Sequence, residues 1–430
     1  MVQSETKEIS QNSTSSQQKK IHIRTLKSNK YLKRLMACYF FKAKIYPKIP
    51  WKYTAWTTSA FPVEMLWTYD IFPLHPENSA TVAAARKLSK GLIEYAEGLG
   101  FSRDLCSYFK TNIGAYDKKI RTTYGGIDKP DFICTTGTIC DTHVKWFQTQ
   151  GRRMNVPVFI FDLPHQVAGC DEKTLKRYEN YIVDQFYEWN DFVYDITGKK
   201  LKKKRLENVV RKSDRLCQLW QEIYSYRKKK PSPLGFNDTF AQIFPLVILP
   251  GIDAGIKYYE KVLAEIKDLA AKGKGVVPNE KYRLLFEGIP FWYRIKFIFE
   301  LAQLGASIVY EPYTWAFGPR KPLGLSADEY LHAFARMWLQ QPYYYNLDRR
   351  IEYFKEVIDE YSIDGVILHN NMSCRPNSTG MLDLKKMIQR EIGIPAIIIE
   401  ADMNDPRAYT EAAIKTRIEG FIELLEANSK

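Results

Sequence analysis

The sequence has no long hydrophobic run. No stretch reaches the 18 or more apolar residues that a membrane-spanning helix needs, and the strongest candidate, residues 244–252, is broken by Pro245 and Pro250. The amino terminus is polar through Lys20 and lacks the apolar region of a secretory signal. These absences predict a chain without a membrane-spanning segment and with a cytoplasmic location.

Several common catalytic and nucleotide-binding motifs are also absent. No GxxxxGK[ST] phosphate loop and no GxGxxG fingerprint occurs, so we expect neither ATP nor a dinucleotide to bind in those ways. Any ATP dependence would then come from another protein. There is no HExxH motif and no GxSxG elbow, and His75, His143, His165 and His369 are too dispersed in the sequence to suggest a zinc site.

Cysteine is sparse, odd in number and scattered. A secreted disulfide framework would need an even and more regular set, so the thiols are expected to be reduced, as inert core residues or as metal ligands. The seven cysteines are Cys38, Cys106, Cys134, Cys140, Cys170, Cys217 and Cys374.

The formal charge of +14 is concentrated near the amino terminus. The first 60 residues hold twelve Lys and Arg against two Glu, and a second basic run covers residues 199–205. No nucleic-acid-binding motif accompanies these runs, which favours a solvated surface. Attraction of an acidic protein or of the phosphates of a nucleotide-like ligand is the other interpretation, and a nucleic-acid-binding or scaffold protein is a distant alternative function. Such a protein would bind DNA or RNA in a salt-sensitive manner and hold no iron.

The apolar pattern alternates between short buried runs and amphipathic helices, which is typical of α/β domains with parallel sheets. We expect strands at 131–136, 156–161, 282–287, 307–311, 365–368 and 396–400. Helices are expected at 26–43, 79–98, 171–189, 198–230, 258–272, 325–339, 348–361, 381–392 and 408–427, and a turn at 112–114.

With 430 residues, the chain is long enough for two or three domains. We place a basic N-terminal arm at 1–49, mobile over 1–20, a first α/β domain with a helical extension at 50–232, and a second α/β domain at 233–430. The prediction is therefore two flavodoxin-like α/β parallel-sheet domains in series behind an N-terminal helical arm.

Three cysteines stand at or close to the places where ligands bind in such sheets, beyond the carboxyl ends of strands. Cys140 and Cys374 follow predicted strands, and Cys106 lies before the predicted turn. Thiolates are soft donors that favour iron-sulfur or zinc sites. Three of them converging in a cleft between the domains would leave one metal position open. For each cysteine alone, an inert core thiol is the alternative, and we assign that role to the remaining four.

The segments around these cysteines resemble the 2-hydroxyacyl-CoA dehydratase family, which also includes the ATP-dependent benzoyl-CoA reductases. The resemblance runs from about residue 51 to the end. It is carried by WTTSAFPVE (56–64), PEN (76–78), DLCSY (104–108), TICD (138–141), KWF (145–147), EKYR (280–283), EGIP (287–290), NNMSC (370–374), EAD (400–402), DPR (405–407) and TRIE (416–419).

The resemblance implies one 4Fe-4S cluster per chain, held by Cys106, Cys140 and Cys374. It further implies a heterodimer with a related second subunit, an ATP-hydrolysing iron-sulfur activator protein that injects one electron, and an acyl-CoA substrate. One electron would convert a (R)-2-hydroxyacyl-CoA to a ketyl radical anion, which expels the α-hydroxyl group. A β-proton then leaves and the electron returns, giving an enoyl-CoA.

The carboxyl-terminal motifs are nearer the dehydratase alpha subunit than the reductase. A subunit of an aromatic acyl-CoA reductase, such as benzoyl-CoA reductase, is the alternative. The double-cubane reductases are disfavoured, because no further cysteines lie beside the three motifs. Neither a nucleic acid nor a membrane is an expected partner.

Proton transfer needs oxygen groups near the cluster, and Ser59, Glu64 and Glu77 are the catalytic candidates from the first motifs. Each also has a structural interpretation, in a turn, in the first turn of a helix or at a helix cap. Asp402, Asp405 and Arg407 are expected to order the loop after the last strand. A second set of residues either suits a bulky acyl group or packs in the core: Phe291, Trp292, Tyr313 and Trp315.

Overall fold

A computed structural model describes residues 23–120, 127–137, 140–164, 169–318, 325–339 and 345–428. The expected mobile segment 1–20, His165, and residues 138–139 of the second cysteine motif lie outside these ranges. The strands are β1 (Tyr53–Thr57), β2 (Ile71–Leu74), β3 (Phe132–Thr136), β4 (Val158–Phe161), β5 (Tyr282–Glu287), β6 (Ala306–Tyr310), β7 (Gly365–Asn371) and β8 (Ala396–Ala401).

The helices that surround the strands are α1 (Asn29–Ile45), α2 (Val63–Thr68), α3 (Pro76–Ala85), α4 (Ser89–Gly98), α5 (Ser107–Asp117), α6 (Asp141–Met154), α7 (Glu172–Thr197), α8 (Lys203–Ser225), α9 (Phe236–Ile248), α10 (Asp253–Ala271), α11 (Lys296–Gln303), α12 (Pro312–Trp315), α13 (Ala327–Leu339), α14 (Leu347–Tyr361), α15 (Met381–Met387) and α16 (Glu411–Asn428). In the part of the chain that the structure covers, no helix combines the length and the apolar character needed to cross a bilayer.

The strands form two parallel four-stranded sheets with the same order. The first is β2-β1-β3-β4 and the second is β6-β5-β7-β8. In each sheet the first strand in sequence lies between the second and the third, so the connections diverge at that point and the carboxyl ends there offer a crevice for ligands. The predicted α/β class with two flavodoxin-like domains is confirmed. The proposed boundaries of the arm and of the two domains stay a prediction.

One hydrogen-bond pair recurs in both sheets. The Thr54 N–H, at the second residue of β1, donates to Asp131 Oδ2 over 2.6 Å, and the Asp131 N–H donates back to the Thr54 carbonyl. In the second sheet, Arg283 and Asp364 make the same two bonds, at 2.7 and 2.8 Å. Each aspartate directly precedes the third strand of its sheet, so its carboxylate fixes where that strand begins beside the first.

The apolar core follows from the alternation of side chains along the strands. Ile133 of β3 points into a large cluster that continues through the second sheet, whereas Phe132 and Cys134 point to the opposite face. On that opposite face, α7, α8 and α13 cover the first sheet. Helix α13 comes from far along the sequence, so the two halves of the chain are interlocked rather than joined by a linker alone.

The N-terminal helix α1 is docked on the body. Leu32, Tyr39, Phe40 and Ala43 are buried, and the Tyr39 hydroxyl donates to the Pro73 carbonyl over 2.9 Å. The basic residues of α1 lie on its exposed side, as the spacing predicts for an amphipathic helix.

A buried ion pair anchors α8 to the second sheet. Arg227, just after α8, makes two bonds to Glu311 at the end of β6, of 2.8 and 2.7 Å, and both side chains are 0% exposed. The Thr314 hydroxyl donates to the same carboxylate over 2.9 Å. The lone pairs of Glu311 are thereby occupied, which a buried carboxylate requires.

Two predictions about the first domain are wrong. The helix expected at 79–98 is two helices, because the chain turns at Lys87 with a φ of +62° between α3 and α4. The turn expected at 112–114 lies inside α5. Gly114 allows α5 to pack closely against α4, because a Cβ at this position would come within 2.3 Å of the Leu92 carbonyl oxygen.

Candidate active site

The three motif cysteines each stand immediately before a helical turn. Cys106 is the N-cap residue of α5, Cys140 is that of α6, and Cys374 precedes a short 3-10 turn, Arg375–Asn377. Cys140 follows β3 and Cys374 follows β7, the third strands of the two sheets. One cysteine therefore lies at the carboxyl end of each sheet. The third, Cys106, lies in the segment between β2 and β3.

Residues that flank the cysteines are bonded to one another. The Ser107 N–H, next to Cys106, donates to Ser373 Oγ over 3.1 Å, next to Cys374. Arg375 Nη2, on the other side of Cys374, lies 2.6 Å from Asp141 Oδ2, next to Cys140. The three cysteine loops, which are far apart in sequence, thus meet at one place between the two sheets.

The helix that begins at Cys106 is tied to the loop after β8. Asn404 donates to the Thr111 hydroxyl over 2.7 Å, and Arg407 bonds to both carboxylate oxygens of Glu97 on α4. Lys110, only 1% exposed, donates to the same Glu97 over 2.9 Å. These buried and half-buried bonds hold the first cysteine against the second domain.

The thiols lie close enough to raise one another's pKa. Burial raises the pKa of Cys106 and of Cys374, and raises that of Cys140 to about 12. Next to burial, the neighbouring thiols Cys374 and Cys140 raise the pKa of Cys106, and Cys374 raises that of Cys140. Without a cation the thiols would stay protonated, whereas binding of a metal would displace the protons.

Hydrogen-bond donors point at the sulfur atoms and act in the opposite direction. Backbone N–H groups of the following helical turn lower the pKa of each thiol, and Asn377 Nδ2 donates to Cys374 Sγ over 3.4 Å. Donors to sulfur stabilise a thiolate and tune an iron-sulfur cluster that it binds.

The soft thiolate donors of the three cysteines are of the type that binds an iron-sulfur cluster or zinc. Within the described ranges, no three His, Cys, Asp or Glu side chains are placed to bind one metal ion. A 4Fe-4S cluster takes its thiolate ligands on separate iron atoms, so it needs thiols that converge without meeting at one point. Three converging, half-buried thiols with donors to sulfur fit that group.

Glu77 lies beside the cysteines at the start of α3. Its Oε2 accepts from the Ser59 N–H at 2.5 Å and from the Ser59 hydroxyl at 2.8 Å, and its Oε1 is 3.0 Å from His143 Nε2. Burial alone would raise the pKa of Glu77, but the charge of His143 and the bonds from His143 and Ser59 lower it to about 2. Glu77 is therefore an ionised carboxylate at neutral pH.

A cavity of about 250 Å³ opens beside Glu77 and Ser59. Tyr108, two residues after Cys106, lines it, and the Trp292 indole N–H donates to the Tyr108 hydroxyl. Tyr313, at the start of α12, also lines it. Burial raises the pKa of both tyrosines well above the ordinary value, so both are neutral donors at physiological pH.

A second cavity, of about 290 Å³, lies at the carboxyl edge of the second sheet. Tyr313 lines this cavity as well, and Asn377, the donor to Cys374, lies in its wall. It also contains the ion pair of Arg350 with Glu287. The two cavities therefore flank Tyr313 close to the cysteine loops.

The structure brings five of the six predicted site residues together: Ser59, Glu77 and the three cysteines. Glu64 has a different setting. It is 0% exposed on α2, and its Oε1 accepts from the Ser213 hydroxyl on α8 over 2.6 Å. The assignment of all six to catalysis or cluster binding stays a prediction.

The remaining predicted residues lie mostly in the core or in loops. Cys134 and Cys217 are buried in apolar clusters, as expected of core thiols, and Cys170 is half-buried. The core assignment of Cys38 is wrong, because this residue is exposed on α1. Asp402 Oδ1 accepts from the N–H groups of Asn404 and Asp405, which orders the loop after β8.

Sequence reasoning did not assign a role to His143, Tyr108 or Asn377. His143 was considered only as a zinc ligand, although it stands three residues after Cys140 on α6, one turn from the site. Tyr108 and Asn377 likewise follow Cys106 and Cys374 by two and three residues. Their place in the first helical turn after a motif cysteine is the signal that could have found them.

Comparison with known proteins shows that the chain is similar to one enzyme family. The family model for the 2-hydroxyglutaryl-CoA dehydratase D-component matches residues 58–425. The (R)-2-hydroxyisocaproyl-CoA dehydratase alpha subunit of Clostridioides difficile is 31% identical over 386 residues, covering 87% of this chain and 90% of the relative.

Two further relatives show the breadth of the family. The (R)-phenyllactyl-CoA dehydratase alpha subunit of Clostridium sporogenes is 28% identical, over 87% of this chain and 90% of the relative. A subunit of the benzoyl-CoA reductase of Thauera aromatica is also 28% identical, over 84% of this chain and 86% of the relative.

Proposed function

Because the chain belongs to the 2-hydroxyacyl-CoA dehydratase family, we propose that it is the alpha-type subunit of an enzyme that eliminates water from a (R)-2-hydroxyacyl-CoA to give an enoyl-CoA. The observation that carries this proposal is the meeting of three cysteine loops, from both sheets, beside the cavity that contains Ser59 and Glu77.

We propose that Cys106, Cys140 and Cys374 hold one 4Fe-4S cluster. The thiols converge, are half-buried, and receive N–H donors from the turns that follow them. When bound, such a cluster supplies single-electron transfer and a Lewis-acidic iron for the departing hydroxyl group. With three protein ligands, one iron would remain accessible to the substrate.

Glu77 and His143 are proposed to accept the β-proton of the substrate and to transfer it. Elimination requires that the β-carbon lose a proton to a base within hydrogen-bond reach. The ionised Glu77, held by two bonds from Ser59, is fixed at the cavity wall and 3.0 Å from His143 Nε2. A proton taken by either group can pass along this contact.

Tyr108 and Tyr313 are proposed to orient the thioester. Both are neutral hydroxyl groups at the wall of the same cavity. The indole of Trp292 donates to the Tyr108 oxygen, and the Tyr108 hydroxyl donates to that of Tyr313, so the two hydroxyl groups form a short chain. The Tyr313 proton ends this chain, and a carbonyl oxygen of the substrate is an acceptor for it.

The partners follow from the family. Two relatives are named alpha subunits, so we expect a related second subunit that carries a cluster of its own. We also expect an ATP-hydrolysing iron-sulfur activator to deliver the initiating electron for the ketyl-radical route. This is consistent with the absence of a phosphate loop in the sequence.

The test is anaerobic co-expression with the partner subunit, followed by iron analysis and product analysis. We expect a brown protein with about four irons per copy of this chain. With activator, ATP and a reductant, 2-hydroxyacyl-CoA thioesters should become enoyl-CoA. A colourless protein that binds one zinc ion would contradict the proposal.

A reductase subunit is the second candidate, because the benzoyl-CoA reductase relative matches 84% of the chain. In that case the same reconstituted complex would convert benzoyl-CoA to a cyclic diene and leave 2-hydroxyacyl-CoA unchanged.

A further inference from the structure

The cavity beside Glu77 has one polar end and one apolar end. Ser59, Glu77 and Asn78 lie at the carboxyl ends of β1 and β2, near the cysteine loops. The rest of the wall is mainly aliphatic and aromatic, with Thr81 and Asn237 as polar exceptions. It includes apolar residues of α1 and α9: Met36, Phe40, Phe240, Ile243, Phe244 and Val247.

Charge is nearly absent from this wall. Among the described residues that line the cavity, Glu77 is the only charged side chain, and none is Lys, Arg or His. Its carboxylate is already engaged by Ser59 and His143. A second carboxylate in the cavity would therefore lose its water, meet no cation there, and face the negative charge of Glu77.

We propose that the acyl group of the substrate ends in an uncharged, apolar side chain of the size of a branched alkyl or benzyl group. This inference rests on the proposed dehydratase function and names its substrate class. It excludes dicarboxylic 2-hydroxyacyl groups such as 2-hydroxyglutaryl.

The volume supports this size. An apolar cavity of about 150 Å³ in another protein accommodates a benzene molecule, and the cavity here measures about 250 Å³. A phenyl ring or an isobutyl group therefore fits together with the reacting carbons. A methyl side chain, as in a lactoyl group, would leave most of the apolar wall without contact. Because each buried methylene favours binding by about fourfold, a three-carbon extension is expected to gain about 60-fold in affinity.

The N-terminal helix α1 forms part of the wall that would select the side chain of the acyl group. Met36 and Phe40 of α1 contribute to the wall, and α1 is held in place by the bond from Tyr39 to the Pro73 carbonyl and by the Leu26 N–H, which donates to Asp238 over 3.0 Å. Helix α1 precedes residues 58–425, the part that matches the family model. The apolar end of the cavity is thus closed partly by a segment outside the shared family region.

The experiment compares acyl-CoA thioesters on the complete complex. Calorimetry measures the binding of the saturated analogues 4-methylpentanoyl-CoA, 3-phenylpropanoyl-CoA, propanoyl-CoA and glutaryl-CoA. Turnover assays measure kcat/KM for the corresponding 2-hydroxyacyl-CoA substrates. We expect the branched and phenyl compounds to be preferred over the propanoyl series by tenfold or more, and over the glutaryl series by about 100-fold or more.

The outcomes separate the two proposals. Preference for the glutaryl or propanoyl series, in binding or in turnover, overturns the side-chain inference and leaves the dehydratase function standing. If the iron-loaded complex dehydrates none of the compounds, the proposed function fails, and the binding order still decides the inference.

Three variants of α9 test whether the side chain of the substrate binds in this cavity. Ala241 lines the cavity, so Ala241→Leu should reduce kcat/KM for the branched and phenyl substrates by about tenfold or more while sparing lactoyl-CoA. Leu246 is buried on the same helix outside the cavity wall, and Leu246→Val should affect all substrates alike. Val247→Phe fills the same cavity if Ala241→Leu does not fold. Equal effects of a filling variant and of Leu246→Val on every substrate would overturn the assignment.

Discussion

Replacement of Glu77 by glutamine removes one negative charge and keeps the shape of the side chain. The pKa of Glu77 is lowered from 4.5 to about 2, which corresponds to about 3 kcal/mol in favour of the ionised form. Glutamine can still accept from Ser59 and donate to His143, so part of this is retained. We expect Glu77→Gln to destabilise the fold by about 1–3 kcal/mol at neutral pH.

The pH dependence of stability has a defined sign. The folded pKa lies below the unfolded value, so the stabilisation by Glu77 is fully present above pH 4.5 and is lost as the pH falls toward 2. The melting temperatures of the metal-free wild-type and Glu77→Gln proteins should therefore differ at pH 5. The difference should shrink below pH 4.5.

The catalytic effect is measured on the reconstituted complex. If Glu77 acts in proton transfer, its loss should lower kcat by about 10²–10⁴-fold, with iron content unchanged because Glu77 is not a proposed ligand. Glu64→Gln is the matched control. It also removes a buried carboxylate that accepts from a serine hydroxyl, but on the contact between α2 and α8.

Activity of Glu77→Gln close to that of the wild type would refute the proton-transfer role. Equal losses of activity in the Glu77 and Glu64 variants would refute a role specific to Glu77.

Three further predictions concern the cluster site and the framework. Cys374→Ala should lose iron and activity, whereas Cys217→Ala should keep both and lose about 1 kcal/mol of packing energy, measured by iron analysis and unfolding; full iron in Cys374→Ala would refute the cleft site. Ser373→Ala removes the acceptor of the Ser107 N–H and should speed the release of iron to a chelator, relative to Ser225→Ala, whose hydroxyl donates to the Glu222 carbonyl on α8; equal release rates would contradict this. Arg227→Met leaves Glu311 buried without its cation and should cost about 3–5 kcal/mol in unfolding experiments; an unchanged stability would contradict that cost.

The sequence was most informative where local pattern and chemistry coincide. The strand Tyr282–Glu287 was predicted with the observed bounds, because a buried run lies between polar residues. β1 and β2 were not assigned, since each is only four or five residues long, and β2 contains Pro73. Proline is tolerated there because β2 lies at the edge of its sheet.

The site was predictable only in part for a similar reason. Cysteines beyond strand ends can be identified from local sequence, whereas the contact of Glu77 with His143 depends on how α3 and α6 pack. The covering of the first sheet by α13 and the share of α1 in the cavity wall also arise from packing between distant segments. No local pattern encodes those contacts.

Because the strand order repeats, the two halves of the chain have corresponding positions at the ends of their strands and helices. Cys140 and Cys374 occupy one such pair, each after the third strand. Cys106 begins the last helix before β3, and its counterpart at the start of α14, the last helix before β7, is Asn346, which caps its helix by accepting from the Arg349 N–H at 2.9 Å. The shared topology thus gives four corresponding positions, and three of them are occupied by cysteines. The two halves differ at the fourth position, where the amide of Asn346 caps its own helix.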